Sequence, residues 1–332
     1  MTLVGGAVVG SYLGLAPMIR QLNEPKDYVG SGTGRVQVKI PSGASGRTIA
    51  RVLTAAGVVK TQVAFIDAVK KDPRAAGVQP GTYSLREKMS AAAALGLLLD
   101  PKARLILTVT IPEGTRVKDE LTLIAKNTGL KYADLVKAST SAAIGLPAAA
   151  KGKPEGFLFP ATYDFQPDVT ATQVLTKMVE RGAAAFTALN IPDSKLRSTV
   201  IEASIVQAEA GNKQYMGKVA TVLNNRLKIK KKLQLDSTVS YATGRFGITT
   251  TAADRAFNSP YNTYRFAGLP AGPIDNPGEE ALKAVLNPTP GPWLFFVTVN
   301  PRTGETKFAT DEAGHAANVR EFQAWLRAHP KG

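Results

Sequence analysis

The 332-residue chain contains no cysteine and only two histidines and two tryptophans. The first absence removes disulfides, thiolate nucleophiles and cysteine-ligated metals, and it fits a reducing compartment and an exported protein without cross-links equally well. With His315 and His329 alone, a histidine-rich metal centre is excluded, and a Ser-His-Asp mechanism would have to rest on a residue near the C-terminus. Acid-base chemistry therefore falls to carboxylates, and neither a metal nor a cofactor is expected. Acidic residues are themselves the minority, 26 Asp and Glu against 41 Lys and Arg, for a formal net charge of +15. That excess favours a polyanionic partner: nucleic acid, anionic lipid headgroups or an acidic cell-wall polymer. Nucleic acid is disfavoured, because the chain has no zinc-finger spacing, no aromatic RNP-like strand and no arginine-rich recognition helix.

At 44% hydrophobic residues the chain can bury a sizeable core, and its length suggests about two domains. Residues 3–19, "LVGGAVVGSYLGLAPMI", carry no charge and include four glycines. Glycine weakens a soluble helix but is common in membrane ones, so residues 1–19 are expected to form a transmembrane anchor or uncleaved signal near the short limit for a span. No Lys or Arg precedes the run to orient it by flanking charge, and the remainder of the chain lies on one side. Residues 20–34 read as a Gly/Ser linker. A module over 35–104 follows in the order strand, helix, helix, strand, helix, from "VQVKI" through "GVQPGTYSL" to the helix over Ser90–Leu99. The strand-turn-helix stretch "LILTVTIPEGT" echoes "VQVKIPSGA" as a weak internal repeat. It opens a region 105–332 expected to be the catalytic domain, with 105–190 as a candidate subdomain. The fold class expected for the whole is α+β.

The chemistry centres on "KLRSTVIEASIVQAEAG". Asp193 or Ser194 can cap this helix and Gly211 stops it. Apolar residues cover nearly its whole circumference, so it is expected to be buried. Glu202 and Glu209 share one edge two turns apart, and helical geometry alone does not choose between them. Glu209 stands beside the helix end, where a cleft can open and desolvation can keep it protonated as a general acid. The bland alternative is a carboxylate paired with one of the many cations.

Downstream, "KVATVLNNRL" clusters Asn224, Asn225 and Arg226, and four lysines in "KIKKK" end that helix as a solvated surface or a patch for an acidic polymer. "NSPYNTYRFAGLPAGPIDNPG" has little helix or strand propensity, so packing must order it. Its tyrosines and asparagines suit sugar faces and hydroxyl or acetamido groups. "PWLFFVTV" and "GETKFAT" read as a hairpin across "NPRTG", ahead of a closing helix that His315 opens; Phe308 and His315 are placed to line the site or fill it.

Together, "ASIVQAEA", "KVATVLNNRL", "LQLDSTVSYATG", "SPYNTYRFAGLPAGPIDNPG" and "FATDEAGHAANV" resemble the endolytic murein transglycosylases, the YceG-like or MltG family. The resemblance runs from about Val36 to the tail and includes "PEGFLFPATY", and the front module looks like that family's LysM-like subdomain. It implies a single-pass protein of the bacterial inner membrane whose extracytoplasmic part cuts nascent peptidoglycan strands internally and ends their elongation, with peptidoglycan synthases as candidate partners. It also assigns the catalytic acid to Glu209, because the position of Glu202 is not characteristically acidic in the family. Departures are small: Gln207 and Ala208 replace charged residues, Ser237 stands where proline is usual, and "LPAGPI" replaces a double proline.

On that resemblance, Glu209 protonates the glycosidic oxygen between N-acetylmuramic acid and N-acetylglucosamine. Its carboxylate then takes the proton of the muramyl C6 hydroxyl as that oxygen closes on C1, leaving a 1,6-anhydro end. A two-carboxylate glycosidase needs a second acid at a set separation. Asp236 is the nearest alternative partner and is expected to orient Asn225, Arg226 or the loop. The expected substrate-binding residues are Asn225, Arg226, Gln234, Asp236, Tyr241, Ser259, Tyr261, Asn262 and Tyr264. The rival readings are a hydrolase of the same strands and a peptidoglycan-binding scaffold in which Glu209 is structural.

Overall fold

A computed structural model of the chain describes residues 26–245 and 250–329. The expected membrane anchor at 1–19 lies outside these residues, and among the described helices none is long and apolar enough to cross a membrane. The fold is mixed α+β, and it divides after Leu107 into two compact units.

In the first unit, β1 (Thr33–Ile40) leads to α1 (Gly46–Ala55), α2 (Gln62–Lys71), β2 (Gly81–Glu87) and α3 (Ala91–Leu99). The three helices begin where Ser45, Thr61 and Ser90 each accept a hydrogen bond from the backbone N–H three residues on, satisfying a donor the first turn leaves free. β1 and β2 pair antiparallel with Val38 opposite Tyr83 and Ile40 opposite Gly81. Val38 and Ile40 are buried while Gln37 and Lys39 are exposed, the period of two that a half-buried strand requires. Their apolar face packs with Leu53, Phe65 and Leu95 into one core.

The second unit contains β3 (Leu107–Thr110), α4 (Val117–Thr128), α5 (Tyr132–Ser139), β4 (Thr162–Phe165), α6 (Ala171–Ala188), α7 (Asp193–Glu209), α8 (Met216–Lys228), α9 (Asp236–Thr243), α10 (Ala252–Ala256), α11 (Glu279–Leu286), β5 (Phe295–Asn300), β6 (Glu305–Ala309) and α12 (Glu312–Ala328). β3 pairs with β4 and β5 with β6. Both segments of the expected repeat run strand, turn and helix, but the turns are finished differently. α1 takes its cap from Ser45, whereas α4 has no cap of its own and receives one from Glu155, whose Oε1 accepts the Val117 N–H at 3.0 Å.

α7 is the axis of this unit. Leu196, Val200, Ile201, Ala203, Ile205 and Val206 are all buried and join residues of α8 and α11 in a single core. Ser204, also buried, is satisfied by donating to the Ile201 carbonyl and accepting from the Ile274 N–H. The start of the helix differs from expectation: Pro192 occupies the cap position and makes no side-chain bond, while Asp193 is the first helical residue. Proline fixes φ and lacks the N–H a cap would leave unused, and Asp193 complements the helix dipole from the first turn. The helix ends at Glu209, because Ala210 is already extended at φ −80° and ψ 104°.

Candidate functional site

Glu209 is the last residue of α7 and lines a cleft of about 750 Å³. The floor comes from the ends of α7 and α8 and from the segment 234–236; the wall comes from Phe295, Phe296, Val297 and Thr298 of β5, with Glu312, His315 and Phe322 of α12. Ser237, in the first turn of α9, donates its N–H to Glu209 Oε1 at 3.4 Å. Burial raises the Glu209 carboxyl above its usual value, and the Asp236 carboxylate adds to the rise against the opposing pull of Ser237 and of the Arg226 charge. A carboxyl so placed can hold a proton at higher pH than a solvated one, as a general acid must.

The cleft is also closed by a backbone approach. Gly304, at φ 71° in the turn between β5 and β6, packs on Gly211, two residues beyond Glu209, and a Cβ on Gly304 would collide with the Gly211 carbonyl. Only glycine meets both the left-handed turn and that contact.

Glu202 is separated from Glu209 by this setting rather than by its own chemistry. Its carboxyl too is raised by burial, to about 7, yet it lines neither this cleft nor a second one against α4. The two acids share a helix edge, but the hairpin and α12 enclose only Glu209.

Of the substrate-binding candidates, Arg226, Gln234, Asp236 and Tyr264 surround this cleft. Asp236 accepts from Thr250 Oγ1 and Tyr264 OH on Oδ1, both at 2.6 Å, and from the Thr250 N–H on Oδ2. It therefore orients the loop through Thr250 and Tyr264 and does not bond Asn225 or Arg226, the other partners expected for it. Arg226 is buried; its Nε donates to the Leu294 carbonyl and an Nη to that of Leu233, both at 2.6 Å, so it ties the segment before α9 to the start of the hairpin. Its charge still acts on Glu209. Gln234 sits exposed in a left-handed conformation at φ 51°, its backbone N–H on the Thr263 carbonyl.

Three candidates face the protein instead. Asn225 donates its amide to the carbonyls of Gly291 and Trp293. Asn262 is 1% exposed and donates to the carbonyls of Arg255 and Phe257 while accepting from the Tyr264 N–H. Ser259 Oγ accepts from the Tyr261 N–H. All three order the loops whose sequence has no regular propensity. The lysine run ends α8 as expected: Lys228, Lys230 and Lys232 are exposed, while Lys231 pairs with Glu312 at 3.0 Å over the Phe295 ring. His315 lines the cleft, stacked on Phe295 with centroids 4.9 Å apart, and burial lowers its imidazole below the usual value. Phe308 lies behind that wall, against Trp293, Phe296 and Tyr215.

Tyr241 and Tyr261 line a second cleft, of about 520 Å³, formed by α4, α5, the start of α7 and the segment 153–155. Their rings are tilted with centroids 4.9 Å apart, and Arg116 lies over Tyr241 at 5.0 Å. At the base Glu155 accepts the Tyr241 hydroxyl on Oε2 at 3.1 Å, and burial pushes Glu155 up to about 7. Glu120 and Asp275, buried nearby, are held well above the usual carboxylate range by the same cause. Sequence reasoning missed Glu155, Thr250 and the aromatic wall of β5. For Glu155 the signal was its place between Pro154 and Gly156, where a carboxylate in an irregular segment has no solvated helix face to occupy.

The model of the YceG-like family matches residues 38–321. An endolytic murein transglycosylase of Bacillus subtilis is 32% identical over 295 residues, covering 82% of this chain and 81% of that protein. One from Streptococcus pneumoniae is 29% identical over 328 residues, covering 86% of this chain and 58% of its own longer one. The crystal structure of a yceG-like protein from Listeria monocytogenes superposes with a TM-score of 0.56 at 28% identity, covering 86% of this chain and 99% of that one. With the family match spanning most of both units, the chain belongs to the YceG-like family.

Proposed function

We propose that this chain is an endolytic lytic transglycosylase of peptidoglycan. The observation that carries the reading is Glu209: a desolvated carboxyl at the end of a buried helix, facing a cleft large enough for sugars, with its second neighbouring acid already engaged. Protonated Glu209 donates to the oxygen joining the muramyl C1 to the next sugar, and the C1–O bond breaks. The C6 hydroxyl of the same muramyl residue then closes on C1 and returns its proton to Glu209, which restores the acid and consumes no water. Asp236, held by Thr250 and Tyr264, orients the cleft and leaves attack to the internal hydroxyl. Arg226 sets the position of the loop, and Gln234, Tyr264 and His315 are left at the surface of the cleft for the substrate.

The expected setting follows from the same reading: a bacterial plasma-membrane protein, single-pass through its N-terminal segment, with the catalytic part extracytoplasmic and working beside peptidoglycan synthases on nascent strands. The strand-helix-helix-strand order of the first unit supports a LysM-like module over 35–104. The test is mass spectrometry of uncross-linked strands incubated with the protein or with Glu209→Gln. Anhydromuramyl ends from the wild type alone are expected, with a loss in the variant of about 10²–10⁴-fold. Reducing ends would make the protein a hydrolase, and intact strands with retained binding would make it a scaffold.

A further inference from the structure

The second cleft has no lining residue in common with the first, yet three elements contribute to both. α7 contributes Glu209 to one and Arg197 to the other, α9 contributes Asp236 and Tyr241, and the segment 259–273 contributes Tyr264 to the first and Tyr261 and Pro273 to the second. At a rise of about 1.5 Å per residue, Arg197 and Glu209 stand about 18 Å apart along α7. That span exceeds one disaccharide and is within reach of a strand that continues beyond the bond being cut.

We propose that the second cleft holds a distal stretch of the same glycan strand, so that the protein favours long strands over short ones; the proposal rests on the transglycosylase reading. Its walls match the chemistry of such a ligand. The paired rings of Tyr241 and Tyr261, with Tyr132 41% exposed at the rim, offer flat surface to the C–H faces of pyranose rings. Exposed Lys118 and Lys153 stand at the same rim, complementary to the carboxylates of the stem peptides, or of the lactyl groups where no peptide is attached. The cleft is formed before anything binds. Glu155 fixes the Tyr241 hydroxyl, and Arg197 donates to the carbonyls of Ala149 at 2.8 Å and Ala271 at 2.5 Å, bridging two walls. A prepared surface of this kind loses little side-chain freedom on binding.

The test uses the full chain, with uncross-linked strands of two lengths, a tetrasaccharide and long polymer. Tyr132→Ala and the double variant Lys118→Glu, Lys153→Glu change exposed side chains only, so both should fold. For each, KM on long strands is expected to rise about five-fold with kcat unchanged, and turnover of the tetrasaccharide to stay at the wild-type value. Affinity for long strands, measured in the Glu209→Gln background, should fall by the same factor. Unchanged KM and affinity on long strands, or equal losses on both lengths, would overturn the proposal while leaving the transglycosylase reading in place. If the wild type cuts neither substrate, that reading fails, and the affinities for the two lengths still decide whether the second cleft binds glycan.

Discussion

Tyr241 donates a hydrogen bond to Glu155 across 86 positions of sequence, at 3.1 Å. The bond fastens the far half of α9 while the first turn of the same short helix presents the Ser237 N–H to Glu209. The geometry of the acid is therefore tied to a carboxylate in another cleft. Tyr241→Phe is expected to destabilise the protein by about 1–3 kcal/mol, because it strips a largely buried oxygen of its partner. It should also lower kcat more than it changes KM for the tetrasaccharide, as α9 loosens. Calorimetry and steady-state kinetics on the one variant check both.

Glu202 gives the protein a stability that declines with rising pH. Burial lifts its carboxyl from 4.5 to about 7, so the folded state keeps a proton that the unfolded chain has already released. Its contribution is full below about pH 4.5 and is lost as the pH rises through 7, with an upper value of about 3 kcal/mol. Thermal unfolding across that range should show Tm falling more steeply for the wild type than for Glu202→Gln, whose strand cleavage should be unchanged.

Asn225→Ala distinguishes a scaffold amide from a sugar-binding one. Its two bonds to Gly291 and Trp293 hold the segment that leads into β5. The variant is expected to lose about 1–3 kcal/mol of stability because two carbonyls lose their donor. KM, measured well below the lowered Tm, should remain at the wild-type value, and a raised KM would instead put the amide in contact with glycan.

Gly304→Ala should move the hairpin away from Gly211. The side chain meets the Gly211 carbonyl and must sit at φ 71°, so a loss of about 1–3 kcal/mol is expected, with strand cleavage falling further than stability alone explains. Comparing kcat and Tm of Gly304→Ala with those of a glycine-to-alanine change at Gly129, where a Cβ meets nothing within 4 Å, separates strain in the turn from displacement of the cleft wall.

The buried character of α7 was legible because apolar residues run round nearly its whole circumference, and the middle of such a helix has nowhere to go but the core. The choice between Glu202 and Glu209 was not legible from periodicity, since a helix repeats every two turns and both acids share an edge. What separates them is the hairpin and α12, brought in from about a hundred residues downstream. Asn225 and Asn262 show a second limit. An amide bonded to backbone carbonyls and an amide waiting for a sugar have the same letter in the same polar segment, and only the position of Gly291, Trp293 and Phe257 reveals which it is. Glu155 was hidden for a related reason: the α4 N-terminus it caps lies 38 positions earlier.

The enclosure of α7 also bears on how the protein loses activity. The first turn of the helix is exposed, but from Leu196 to Val206 each turn that opens exposes core to water, so the amides of that stretch should exchange hydrogen only through opening of the whole second unit. Glu209 is the final residue of that helix, and its orientation lasts as long as the unit does. On warming, cleavage should persist unchanged up to the unfolding transition and then vanish with it, without the earlier decline seen where a catalytic group rides on a mobile loop.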